Sequence, residues 1–124
     1  DEHDIRCAAD DLLMTQQIDG GFSQRHDMQS DAYATGSALV ALVEAGDLRI
    51  TDTRYRKGLA FLLSIQEEDG SWHVVTRSEP IQSYFESGYP HGKDQFISIA
   101  AASWATTALA YSLENTQGGF GRNF

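Results

Sequence analysis

The stretch that decides the fold is "SIQEEDGSW", residues 64–72, because it is written twice. Fifty positions earlier stands "TQQIDGGF", residues 15–22. Gln16, Asp19, Gly20 and Phe22 align with Gln66, Asp69, Gly70 and Trp72, and Leu12–Leu13 align with Leu62–Leu63. Self-similarity at a fixed period has to be settled first, since each repeat of such a chain is one supersecondary unit that buries its apolar face only against a neighbour.

Upstream of each copy runs the same apolar spacing. Ile5, Ala9, Leu12, Leu13 and Gln16 fall at i, i+4, i+7, i+8 and i+11, and Tyr55, Leu59, Leu62, Leu63 and Gln66 repeat the pattern. This is one face of a helix and not the alternation of a strand. Thr51 or Asp52 is the candidate N-cap of the second helix. Asp-Gly is then expected to stop each helix, with Gly20 and Gly70 free to take positive φ.

A different helix follows each stop. "SDAYATGSALVALVEAG", residues 30–46, opens on the capping candidates Ser30 and Asp31, ends at Gly46 and carries small residues on every side. "DQFISIAAASWATTALAYSLE", residues 94–114, has almost no polar face, with Asp94 as its candidate N-cap. A helix apolar all round is expected to be buried all round. The order is therefore amphipathic helix, Asp-Gly turn, Ala-rich helix, twice over. The expectation is an all-α domain over 1–124, with repeat one at about 4–46 and repeat two at about 52–114. Amphipathic helices form its outer layer and Ala-rich helices the inner one, where Ala34, Ala38, Ala41 and Ala45 permit close approach. "QGGFG", residues 117–121, reads as a truncated third copy without its Asp.

Gln-x-x-Asp-Gly-x-(Phe/Trp) after an outer helix, followed by an Ala-rich inner helix, resembles the QW-type repeat of the squalene-hopene cyclase and prenyltransferase superfamily. The resemblance covers about Ile5 to Glu114 and implies hairpins that stack into an α/α toroid. It also implies an architectural role for Gln16, Asp19, Gly20, Phe22, Gln66, Asp69, Gly70 and Trp72. The glutamine amides would bind backbone left open at helix ends, and the rings would stack against the neighbouring repeat. It does not bring the family's catalytic residues. The cyclase acid, Asp-x-Asp-Asp, has only Asp10–Asp11 as a counterpart, on an outer helix. There is no DDxxD for Mg²⁺ and diphosphate, and Cys7 lacks the setting of the prenyltransferase Zn²⁺ ligands. Polysaccharide lyases share the toroid, but Arg25, Arg77 and Lys93 match their basic group in residue type only. No catalytic residue, metal or cofactor is assigned. The alternative is a fragment of a terpenoid cyclase-like or polysaccharide lyase-like enzyme whose catalytic residues lie partly outside this segment.

Composition narrows the partners. The formal net charge of −9 argues against a nucleic-acid backbone or an anionic membrane surface. No stretch reads as a bilayer span, the last helix being interrupted by Ser and Thr. The single cysteine, Cys7, forms no internal disulfide and is expected to be a semi-buried thiol. The opening "DEHD", without an initiator Met, suits a processed or partial chain. Two hairpins are fewer than a toroid needs, so the expected partner is a second copy (a homodimer) or the missing repeats of a longer chain.

The copies disagree in one place. From Phe22 to Asp31 the first connection is short; from Trp72 to the matching position, placed near Ala101, the second is about twenty residues longer. The extra segment holds both prolines and a set of aromatics, and long loops in compact domains are usually functional or disordered. Three readings stay open for it. His73, Glu86, His91 and Asp94 offer acid/base or metal-ligand chemistry without a recognisable ligand spacing. His73, Arg77 and His91, between Tyr84 and Tyr89, offer a pocket for a small polar or anionic ligand at residues 73–95. Or the loop is a lid, with Arg77 on a carboxylate and Tyr84, Phe85 and Tyr89 covering the core. Arg25, His26 and Asp27 of the short loop would share its rim if the hairpins stack in register, allowing a joint site of His26, His73 and His91.

Overall fold

The computed structural model describes residues 1–79, 81 and 83–116; the third-copy motif at 117–121 lies outside them. Four helices and no strand are present among the described residues: α1 (Glu2–Met14), α2 (Ala32–Glu44), α3 (Thr53–Ser64) and α4 (Gln95–Thr116). The fold class is all-α, in two helical hairpins, α1–α2 and α3–α4.

The caps explain where the helices begin. Asp31 accepts from the Ala34 N–H at 2.8 Å and Asp52 from the Arg54 N–H at 2.8 Å, satisfying donors that have no partner inside the helix. The ends differ from expectation. α1 and α3 stop at Met14 and Ser64, before their glutamines, and Asp-Gly forms a separate turn three residues on. Thr15 N–H donates to Leu12 O, a tightened i→i−3 bond, and Ile65 N–H is shared between Phe61 O and Leu62 O; these bonds close each helix before Gln16 and Gln66.

The layers follow the sequence pattern. The main helix–helix interface is α2 on α4, and α1 and α3 pack outside it. α1 buries only Ala9, whereas α2 buries eight of its residues. Gly36 sets the closeness of the inner pair: a Cβ there would lie 2.7 Å from Ala105 N. Gly58 plays the same part between α3 and α2, where a Cβ would meet Leu39 Cδ1 at 2.8 Å. Tyr55, wholly buried, fixes α3 to α4 by donating its hydroxyl to Ala108 O at 2.6 Å. Burial raises that phenol to about 12, so the bond holds across the ordinary pH range.

Three expectations are corrected. Cys7 is exposed, because α1 turns only one narrow stripe inward and Cys7 lies off it. Asp94 does not cap α4; it sits, buried, in a turn of 3₁₀ helix (Gly92–Asp94) and spends its carboxylate on the loop. α4 is not buried all round: Phe96 is 54% exposed, and Ser103, Thr106 and Ala110 are exposed on the same face. Gly92–Glu114 is also long and apolar enough to cross a membrane, by length and composition alone. Here it is an inner helix, on which α2 and α3 pack.

Candidate functional site

The doubled phrase builds the same turn twice. Gln17 N–H donates to Gly21 O and Gly20 N–H to Gln17 O; Glu67 N–H donates to Ser71 O and Gly70 N–H to Glu67 O, at 2.8–2.9 Å. Gly20 and Gly70 take φ of +88° and +86°, which L side chains rarely adopt. Gln16 and Gln66 each donate Nε2–H to the glycine carbonyl four residues on, at 2.8 and 2.9 Å. Asp19 and Asp69 accept the second following N–H, Gly21 and Ser71, in an Asx turn. Phe22 and Trp72 are buried. Trp72 also donates Nε1–H to Leu62 O at 2.8 Å, using a carbonyl at the end of α3.

A further matched pair lies inside the inner helices. Thr35 Oγ1 accepts from Phe22 N–H at 2.9 Å and donates to Phe22 O at 3.3 Å. Ser98 Oγ does the same with Val74 N–H at 3.1 Å and Val74 O at 3.4 Å. Both hydroxyls are fully buried, and each follows an aspartate by four residues, Asp31 and Asp94. That makes Asp94, not a residue near Ala101, the counterpart of Asp31. The second connection then spans twenty-two positions from Trp72, against nine from Phe22.

The long connection is pinned at its neck. His73 and His91 stack with ring centroids 4.5 Å apart and planes within 6°. His73 Nε2–H donates to Asp94 Oδ2 at 2.8 Å, and Thr76 N–H donates to Asp94 Oδ1 at 2.9 Å. These two bonds, the histidine first, hold the Asp94 carboxyl below the usual range. Ser71 Oγ–H donates to Asp69 Oδ1 at 2.6 Å, so its lone pair is what meets His91 Nε2 at 2.7 Å, and the imidazole is the donor there. The Ser71 hydroxyl and then its N–H lower the Asp69 carboxyl. His91 pays a conformational penalty for this place, with φ of +84°. Tyr89 stands edge-on to it, with centroids 6.5 Å apart.

This arrangement limits the chemistry. In a nucleophile triad the carboxylate orients the histidine at its far nitrogen and leaves the serine to attack. Here the carboxylate holds the serine, and the serine is buried. Parallel rings send their in-plane lone pairs side by side, not toward one point, so the stacked pair does not chelate an ion. Among the described residues no group of three or more His, Cys, Asp or Glu side chains is placed to hold a metal.

The other loop residues go elsewhere. Arg77, exposed, donates Nε–H to Gln24 Oε1 at 3.0 Å and approaches Met28 Sδ at 3.5 Å, bridging the long loop to the short one. It takes an amide, where the lid reading expects a carboxylate, and has no contact with His91 among the described residues. Arg25 pairs with Asp27 in the short loop, and His26 is exposed and joins neither histidine. Tyr84 and Phe85 are 57% and 70% exposed and do not cover the core. Tyr84 donates its hydroxyl to Glu86 and accepts from Gln95 Nε2 at 2.7 Å. Gln95, wholly buried, also donates to Gly92 O and accepts from Ser87 N–H, tying the loop to the first residue of α4. Gln95, Ser71, Ser98 and Thr35 were not singled out from sequence. The one usable signal was their spacing from the aspartates, four residues after Asp31 and Asp94 for the two hydroxyls. No family model matches the chain, and no solved structure matches it.

Proposed function

We propose that this chain is a non-catalytic repeat module whose work is binding: its second hairpin is an open end that receives another α/α hairpin. The reading keeps the resemblance to squalene-hopene cyclase and prenyltransferase repeats as a description of how hairpins add, without those families' reactions. The observation that carries it is a difference between identical turns. Gln16 makes a second bond, Nε2–H to Arg54 O at 2.8 Å, and buried Gly20 is packed so tightly on α3 that a Cβ would lie 2.5 Å from Lys57 O. Among the described residues Gln66 makes only its local bond, and Gly70 is exposed, with nothing nearer a Cβ than the Gln66 amide at 4.0 Å. The first joint is closed by the next outer helix and the second is not. α4 of the same hairpin also has a bare face, and no charged residue occurs between Gln95 and Leu113. In this reading the His73–His91 stack is a clasp at the neck of the 73–91 loop.

Amide hydrogen exchange tests the openness directly. Gly70 should exchange at least about tenfold faster than Gly20, because its turn lacks the covering helix. Equal protection at the two turns contradicts the reading. So does co-sedimentation of the chain with neutral phosphatidylcholine vesicles that Ser103→Glu abolishes, which would give the α4 face to lipid.

A further inference from the structure

The internal repeat says what the open end should meet, and this inference rests on the reading just given. Offsetting α1 onto α3 by fifty positions and α2 onto α4 by sixty-three matches Gln16 with Gln66, Thr35 with Ser98 and Gly36 with Ile99. The face of α2 that packs on α4 contains Gly36 and Glu44, the latter accepting from the Tyr111 hydroxyl. Their counterparts on α4 are Ile99 and Thr107, both half-buried, with exposed Ser103, Thr106 and Ala110 beside them. The partner therefore supplies an outer helix to the second turn and an inner helix to this face. Ile99 in the place of Gly36 forbids the same close approach, so the partner's inner helix needs a small residue opposite Ile99.

The chain's own leading edge, α1 and α2, satisfies this shape. Trp104, which meets Gly36, has Ala41 as its counterpart on α2, small and exposed; Gly58, which meets Leu39, has Ala8 on α1, opposite Ala102. Charge is what fails. The outer helix that closes the first turn carries Arg54, Arg56 and Lys57 after its cap Asp52, set against Asp19 of the turn and Asp10 of α1, which acts on Arg54. The second turn carries Glu67, Glu68 and Asp69, all exposed, so it asks for at least as much positive charge. The counterparts on α1 are Asp4, Arg6 and Cys7, after Glu2. Acid against acid at contact costs affinity and slows encounter.

We infer that the open end selects an α/α hairpin whose outer helix begins with a basic turn and whose inner helix is small at its contact with Ile99, and that it rejects a second copy of this chain on charge alone.

The test supplies the missing charge. Asp4→Arg with Cys7→Lys places α3's basic residues at exposed positions of α1. Circular dichroism should show the native helix content, and sedimentation should show assembly to at least twice 13.7 kDa. Wild type should stay at 13.7 kDa, and adding Ser103→Glu to the variant should return it to that mass. A folded variant that remains monomeric overturns the inference. Wild type that already assembles, in a way Ser103→Glu reverses, also overturns it, while leaving the hairpin-binding reading intact. Assembly of the variant that Ser103→Glu leaves unchanged removes the α4 face from the interface and overturns both.

Discussion

Gln16 and Gln66 begin turns with the same backbone bonds, the same positive-φ glycine and the same Asx bond, yet Gly20 is buried and Gly70 is exposed. The difference separates what the phrase encodes from what its surroundings add. Local bonds from Gln, Asp and Gly make the turn in either setting. A second layer, Arg54 O and the Lys57 backbone, turns the first copy into a joint between hairpins. A repeat motif of this kind therefore has two jobs, and only the first is visible wherever it occurs.

The comparison can be sharpened first at the rings, which both joints bury alike. Phe22→Ala and Trp72→Ala should each cost about 3–5 kcal/mol in chemical denaturation, the cost of emptying an aromatic site. A silent Trp72→Ala would mean that the second turn is not the first one's counterpart. The glutamines should split. Gln16→Ala loses a local and a cross-hairpin bond, about 2 kcal/mol, whereas Gln66→Ala loses one exposed bond, under about 1 kcal/mol. Equal losses would break the comparison.

Acid should reach the second connection through its own aspartate. Asp94 is held below the unfolded carboxylate value of about 3.9. Its contribution is therefore present above about pH 4 and is lost as pH falls through the lowered folded value. Asp94→Asn should lower stability at neutral pH and flatten the melting-temperature curve below about pH 4; an unchanged acid limb contradicts this. The smallest effect belongs to Arg77. Its bonds to Gln24 and Met28 are exposed, so Arg77→Ala should change unfolding free energy by no more than about 0.5 kcal/mol. A larger loss would make the bridge between loops part of the joint.

Much of this was legible in sequence. The apolar spacing of Ile5 to Leu13 and Tyr55 to Leu63, with aspartates before α2 and α3, marks helices because period and caps are local properties. The doubled phrase marks the turns for the same reason. The burial of α4 was misread because hydropathy records what a helix could bury against, not whether a neighbour is there. Asp94 looked like a cap because nothing local reveals that His73, twenty-one residues away, returns to claim its carboxylate. The His73–His91 stack, the Gln95 knot and the hydroxyls of Thr35 and Ser98 depend on the path of the loop. Side-chain period does not carry that path.

The glycines test the central claim with least ambiguity, since both have the same φ and differ only in what covers them. Gly20→Ala adds the positive-φ penalty of about 1–2 kcal/mol to an overlap with the Lys57 carbonyl of about 1–3 kcal/mol, and Gly70→Ala adds the first alone. Equilibrium unfolding of the two variants should therefore differ by about 1–3 kcal/mol, with Gly20→Ala the weaker protein. Equal destabilisation, or a larger loss at Gly70, would contradict a closed first joint and an open second one.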